Sequence, residues 1–121
     1  MKYDDSNIFA KILRGEIPCK KIYEDEFVLS FYDINPQKKV HALVIPKGKY
    51  TDLDDFSSKA SSEEMVGLIK GINTVAKKLG ISTDTGKGYR ALANISEDGG
   101  QEVPHLHFHL FGCEKIGKMV Q

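Results

Sequence analysis

The chain is poor in the features that would staple it, anchor it in a bilayer or hold it on a polyanion. Of its 121 residues only two are cysteines, Cys19 and Cys113, far apart and in no CxxC pair, so nothing suggests a disulfide framework. Lysine and arginine total 17, aspartate and glutamate also 17. Without a basic stripe the chain is no nucleic-acid platform, and without net charge its copies repel one another little. No apolar run is long enough to span a membrane, and the opening Met1-Lys2-Tyr3-Asp4-Asp5 carries no apolar signal region. A soluble, cytoplasmic protein is the expectation. There is no repeat, no dividing linker, no P-loop and no GxGxxG fingerprint. With 40% hydrophobic residues, residues 1–121 read as a single domain with a real core.

What is present divides into short strands and two helices. Ser6 is placed to cap a short helix from about Asn7 to Arg14, closed by Gly15. Lys20 to Glu24 and Phe27 to Tyr32 read as strands joined by a tight acidic turn, and His41 to Ile45 as a third, stopped by Pro46. Ser61 with Glu64 forms a capping box for a long helix. Met65, Leu68, Ile69, Ile72, Val75, Ala76 and Leu79 recur along it at helical spacing, and Gly80 ends it. A strand around Tyr89 to Ile95, the loop Ser96 to Gln101 and a last strand follow. The order predicts an antiparallel α+β domain.

The last strand carries the most informative pattern, His105-Leu106-His107-Phe108-His109-Leu110-Phe111. Three of the chain's four histidines fall within five residues. Alternation at the strand period turns Leu106, Phe108 and Leu110 to a core and the three imidazoles the other way, roughly 6.5–7 Å apart. Three readings fit such a row. It is a run of surface histidines; or a zinc site completed by His41 or Glu102; or a centre for chemistry at phosphorus. In the last, a neutral imidazole with a pKa near 6.5 is the nucleophile. Flanking rings and the amides of Gly99, Gly100 and Gln101 then donate to the phosphate oxygens.

His105 to Phe111 resembles the HxHxHxx signature of the histidine triad (HIT) superfamily. Further blocks resemble its Hint branch, the nucleoside phosphoramidases: Ile8 to Ile12, Gly15 to Pro18, Tyr23 to Asp25, Phe31 to Gln37, His41 to Lys47, Gly88 to Arg90 with Asn94, and Asp98 to Gln101. The resemblance covers most of the chain. It implies a HIT fold with a five-stranded antiparallel sheet, one long and one short helix, and a homodimer whose sheet runs continuously across both subunits. It implies hydrolysis of a purine nucleotide at its α-phosphate with no cofactor and no metal.

By the same resemblance His107 is the nucleophile, His109 donates to the scissile phosphate, and His105 and His41 fix the ring tautomers. Asn94, Gly100, Gln101 and Glu102 contact phosphate or leaving group, and Asp33 holds the ribose. Ile8, Phe9, Ile12, Ile17, Phe31 and Ile34 form the base pocket. Two departures stand out. Glu102 occupies a position where Hint enzymes commonly carry Ser or Thr, and the tail Gly112 to Gln121 lacks the aromatic segment typical of the animal proteins. The N-terminal cysteine pair that holds structural zinc in some bacterial relatives is also missing, so no structural metal is expected. Within the superfamily a diadenosine polyphosphate hydrolase of the Fhit branch is the enzymatic alternative. A nucleotide-binding regulatory module with incidental hydrolysis is the non-enzymatic one.

Overall fold

A computed structural model describes residues 2–120; Met1 and Gln121, the ends of the expected single domain, lie outside the described residues. The elements run α1 (Ile8–Leu13), β1 (Lys21–Glu24), β2 (Val28–Tyr32), β3 (Val40–Pro46), α2 (Leu53–Lys59), α3 (Ser62–Lys78), β4 (Tyr89–Leu92) and β5 (Phe108–Gly112). The strands form one sheet in the order β1-β2-β3-β5-β4, and every neighbouring pair is antiparallel. The expected α+β class and five-stranded antiparallel sheet are therefore present. Among the described residues no helix is long and apolar enough to cross a membrane.

The alternation of each strand sorts its side chains into two cores. Val28, Ala42, Val44, Leu106 and Leu110 pack on one face against Leu68, Ile72 and Val75 of α3. Leu29, Phe31, Leu43 and Ile45 pack on the other face with Phe9 of α1. The long helix is tied down as its sequence suggests: the Ser61 hydroxyl accepts from the Glu64 amide and the Glu64 carboxylate accepts from the Ser61 amide. Burying each of these aliphatic side chains contributes about 1.5–3 kcal/mol, which is how short elements of four to seven residues are held in place.

Four expectations are corrected. Asn7, not Ser6, caps α1: its side-chain oxygen accepts from the Ala10 amide at 2.9 Å, while the Ser6 hydroxyl donates to Asp4. There are two short helices, not one. The added α2 is capped by Asp52, which accepts from the Asp55 amide. β4 ends at Leu92 rather than Ile95.

The histidine strand begins at Phe108, not His105. The β3–β5 ladder runs inward only as far as Val44↔Phe108. The next pairing partners would include Pro46, which has no N–H to give, and the Leu106 amide bonds the Tyr50 carbonyl instead at 2.8 Å. The alternation of side chains survives the loss of the ladder. Leu106 still enters the α3 core, while His105 and His107 pack against Phe9 on the opposite face.

Candidate active site

On the α1 face, the ends of β3 and β5 and the loops before β5 and after β2 enclose a cavity of about 560 Å³. That volume is in the range of small-molecule sites. Its walls are Phe9, Asp33, Asn35, Gln37, His41, Leu43, Asn94, Gly100, Glu102, Val103, His107 and His109. The chain thus brings together eight of the expected site residues: Phe9, Asp33, His41, Asn94, Gly100, Glu102, His107 and His109. His105 lies behind the wall, fully buried. Among the described residues lining the cavity there are two carboxylates, Asp33 and Glu102, and no lysine or arginine.

The four imidazoles form two pairs whose protons can be placed from their partners. The backbone N–H of Gln37 donates to Nδ1 of His41 at 3.1 Å, so the proton of neutral His41 is on Nε2. That N–H donates to Nδ1 of His109 at 2.9 Å, which leaves the His109 proton on Nε2. In the second pair, Nε2–H of His105 donates to the Pro46 carbonyl at 2.8 Å, and Nδ1–H of His107 donates to the His105 carbonyl at 2.7 Å. Nε2 of His107 therefore carries a lone pair. The His107 and His109 rings stand 5.1 Å apart, centre to centre, and both line the cavity, so a nitrogen with a lone pair and a ring that carries a donor N–H share its wall.

Burial keeps the rings neutral. It pushes His105 down to about 4 against the pull of the Pro46 carbonyl. It pushes His109 down to about 4 as well, helped by its neighbours His107 and His41. His107 and His41 are also lowered by burial, with Asp33 acting in the opposite sense on both and Glu102 on His107. A neutral ring is the nucleophilic form.

Asp33, His41 and His109 place one donor atom each within 4.8 Å of one another, a set that in other surroundings takes zinc. Here the donor chemistry does not fit. An ion would have to replace the proton joining the two rings, and that proton cannot move to Nδ1 of His41 because the Gln37 N–H already occupies it.

Several expected residues are placed elsewhere. Gln101 does not line the cavity; its side chain bonds the Thr51 and Val103 carbonyls and the Ser96 amide. The amides of Gly100 and Gln101, expected as phosphate donors, are spent on the carbonyls of Glu97 and Ser96. Ile8, Ile12, Ile17, Phe31 and Ile34 are not in the cavity wall. Phe31 is core beneath Phe9, 5.6 Å ring to ring, and Ile34 is 85% exposed. Asn35, Gln37, Leu43 and Val103 were not anticipated. Gln37 acts through its main chain, which side-chain reasoning does not reach; Leu43 was visible as the β3 residue sharing a face with His41.

Comparison with known proteins gives the family of the chain. The family model described as HIT domain matches residues 14–116. A HIT-like protein of Azospirillum brasilense is 52% identical over 118 residues, covering 98% of this chain and 94% of that one. The purine nucleoside phosphoramidase of Escherichia coli strain K12 is 39% identical over 117 residues, covering 96% and 94%. Among solved structures, a HIT family hydrolase from Clostridium thermocellum superposes with a TM-score of 0.86 at 36% identity, covering 98% and 99%. The chain belongs to the HIT family.

Proposed function

We propose that the protein hydrolyses purine nucleoside 5′-phosphoramidates, or related mixed anhydrides, at the α-phosphate through a nucleotidyl-His107 intermediate. The single observation that carries this reading is the lone pair on His107 Nε2, set by the 2.7 Å bond from Nδ1 to the His105 carbonyl. Likeness to the E. coli phosphoramidase gives the substrate class. Nε2 attacks phosphorus, the P–N bond breaks, and the amine leaves with its electron pair and takes a proton from solvent. The ring then carries positive charge, which the His105 carbonyl stabilises through the Nδ1–H. Nε2–H of His109 and the Asn94 amide donate to the non-bridging oxygens. Water next attacks phosphorus and gives up a proton to solvent, the P–Nε2 bond breaks with its electron pair returning to the ring, and the nucleoside monophosphate leaves the neutral imidazole. Asp33 accepts from the ribose hydroxyls, and Phe9, Leu43 and Val103 give the base an apolar wall. We place a second copy of the chain along one free sheet edge, β1 or β4, as the resemblance implies; light scattering on the purified protein tests it.

Two displacements at phosphorus predict net retention of configuration. The test is turnover of adenosine 5′-phosphoramidate chiral at phosphorus, alongside a diadenosine polyphosphate. Retention, a trapped nucleotide on His107 and preference for the phosphoramidate support the reading. Inversion, or an adduct on another residue, overturns the mechanism; preference for the dinucleotide overturns the substrate class.

A further inference from the structure

The segment before α1 reaches the histidine pair from outside the region matched to the family. That region begins at residue 14. Tyr3 places its hydroxyl 2.6 Å from Nδ1 of His105, and its ring meets the imidazole edge-on with centres 5.6 Å apart. Three further contacts hold the segment down: Asn7 amide to Asp4 carbonyl, Arg14 to the Asp5 carbonyl, and Lys49 to the Asp5 carboxylate at 3.0 Å.

The direction of the Tyr3 bond is fixed. His105 gives its Nε2 proton to Pro46, so Nδ1 is an acceptor and the phenol donates. Burial holds the phenol above its ordinary value of 10, so it keeps its proton wherever the histidines are neutral. His105 is fully buried, and the Tyr3 hydroxyl is the partner its Nδ1 has. A buried ring nitrogen without a partner is costly. Moving the proton to Nδ1 offers no relief, because that N–H would lack an acceptor and the Nε2 lone pair would face the Pro46 carbonyl; the ring shifts instead. That shift moves His105, whose own carbonyl holds the His107 proton.

We propose that Tyr3 is a positioning residue: its hydroxyl holds the His105 ring in place and, through the His105 carbonyl, sets the aim of the His107 lone pair. This rests on the hydrolase reading above, but its first readout does not need substrate. In a Tyr3→Phe variant, long-range nitrogen–proton NMR of the imidazoles is expected to show His105 still in the Nε2–H form that Pro46 favours, with its Nδ1 resonance moved to that of a nitrogen accepting no hydrogen bond and the His107 Nδ1–H resonance displaced with it. With phosphoramidate, kcat is expected to fall about tenfold with KM unchanged, because nothing that holds the nucleotide is removed.

An undisplaced His107 Nδ1–H resonance, or an unaltered kcat in a protein that turns the substrate over, overturns the proposal. If the unsubstituted protein shows no turnover, the hydrolase reading fails and the His107 resonance alone decides the role of Tyr3. Should Tyr3→Phe not fold, the unsubstituted protein carries the test. An Nδ1 of His105 without a proton, coupled to a slowly exchanging Tyr3 hydroxyl, is expected; a protonated Nδ1 overturns it.

Discussion

Nδ1 of His107 lies 2.7 Å from the carbonyl oxygen of His105, two residues back in its own chain. The proposed nucleophile is thus oriented by the main chain that carries it. His107→Ala is expected to lower turnover at least about 10³-fold, because no other cavity nitrogen is both unprotonated and free to attack. The far-ultraviolet circular dichroism spectrum should be unchanged. A variant retaining a tenth of the activity would remove His107 from the mechanism.

Acid should weaken both activity and fold. In the unfolded chain a histidine titrates near 6.5, whereas His105 and His109 titrate near 4 in the folded one. Between those values the unfolded chain binds more protons, so stability is present above pH 6.5 and is lost as the pH falls toward 4. For fully buried His105 the loss is about 3 kcal/mol. Urea midpoints measured from pH 7 to pH 4 check it, and a flat profile would contradict the buried neutral rings.

Among the described residues the cavity wall carries Asp33 and Glu102 and no lysine or arginine, an unusual charge for the phosphate chemistry proposed above. An ionised carboxylate repels an anionic leaving group and attracts a cationic one. Glu102→Ser is expected to shift the ratio of kcat/KM between cationic-amine and neutral-amine phosphoramidates about tenfold toward the neutral. Preference between purine and pyrimidine should stay put. Equal effects across all substrates would deny Glu102 a part in choosing the leaving group.

Gly71 tests the fold apart from the site. A Cβ there would stand 2.8 Å from Cγ2 of Val28, which is completely buried. Alanine gains about 1 kcal/mol of helix propensity, but overpacking costs about 1–3 kcal/mol and wins because Val28 is hemmed in by the core. Gly71→Ala is expected to lower stability by about 1 kcal/mol net with kcat intact, measured by urea unfolding and steady-state kinetics.

The elements legible in the sequence were those governed by short-range rules. The Ser61–Glu64 capping box and the two-residue alternation from Leu106 to Leu110 read correctly because each depends on neighbours a few positions away. The α2 cap, Asp52 to Asp55, obeys the same rule but sits in an acidic stretch that resembles a loop. The early end of the β5 ladder depends on Pro46, about sixty positions back, and the lock on His105 depends on Tyr3, 102 positions away. No local pattern announces either. The Gly99-Gly100 pair was read as open amides. In the folded loop the Gly100 amide turns back on Glu97, and Ser96 sits at a φ of 58°.

Of the atoms that settle where the ring protons reside, the Gln37 amide, the Pro46 carbonyl and the His105 carbonyl all belong to the polypeptide backbone. Replacing the side chain at position 37 therefore leaves its contribution standing. Libraries that vary Asn35, Gln37, Leu43 and Val103 can reshape what the enclosure admits while the proton positions on the rings stand, which, on the proposed mechanism, suits this scaffold to redesign of substrate choice.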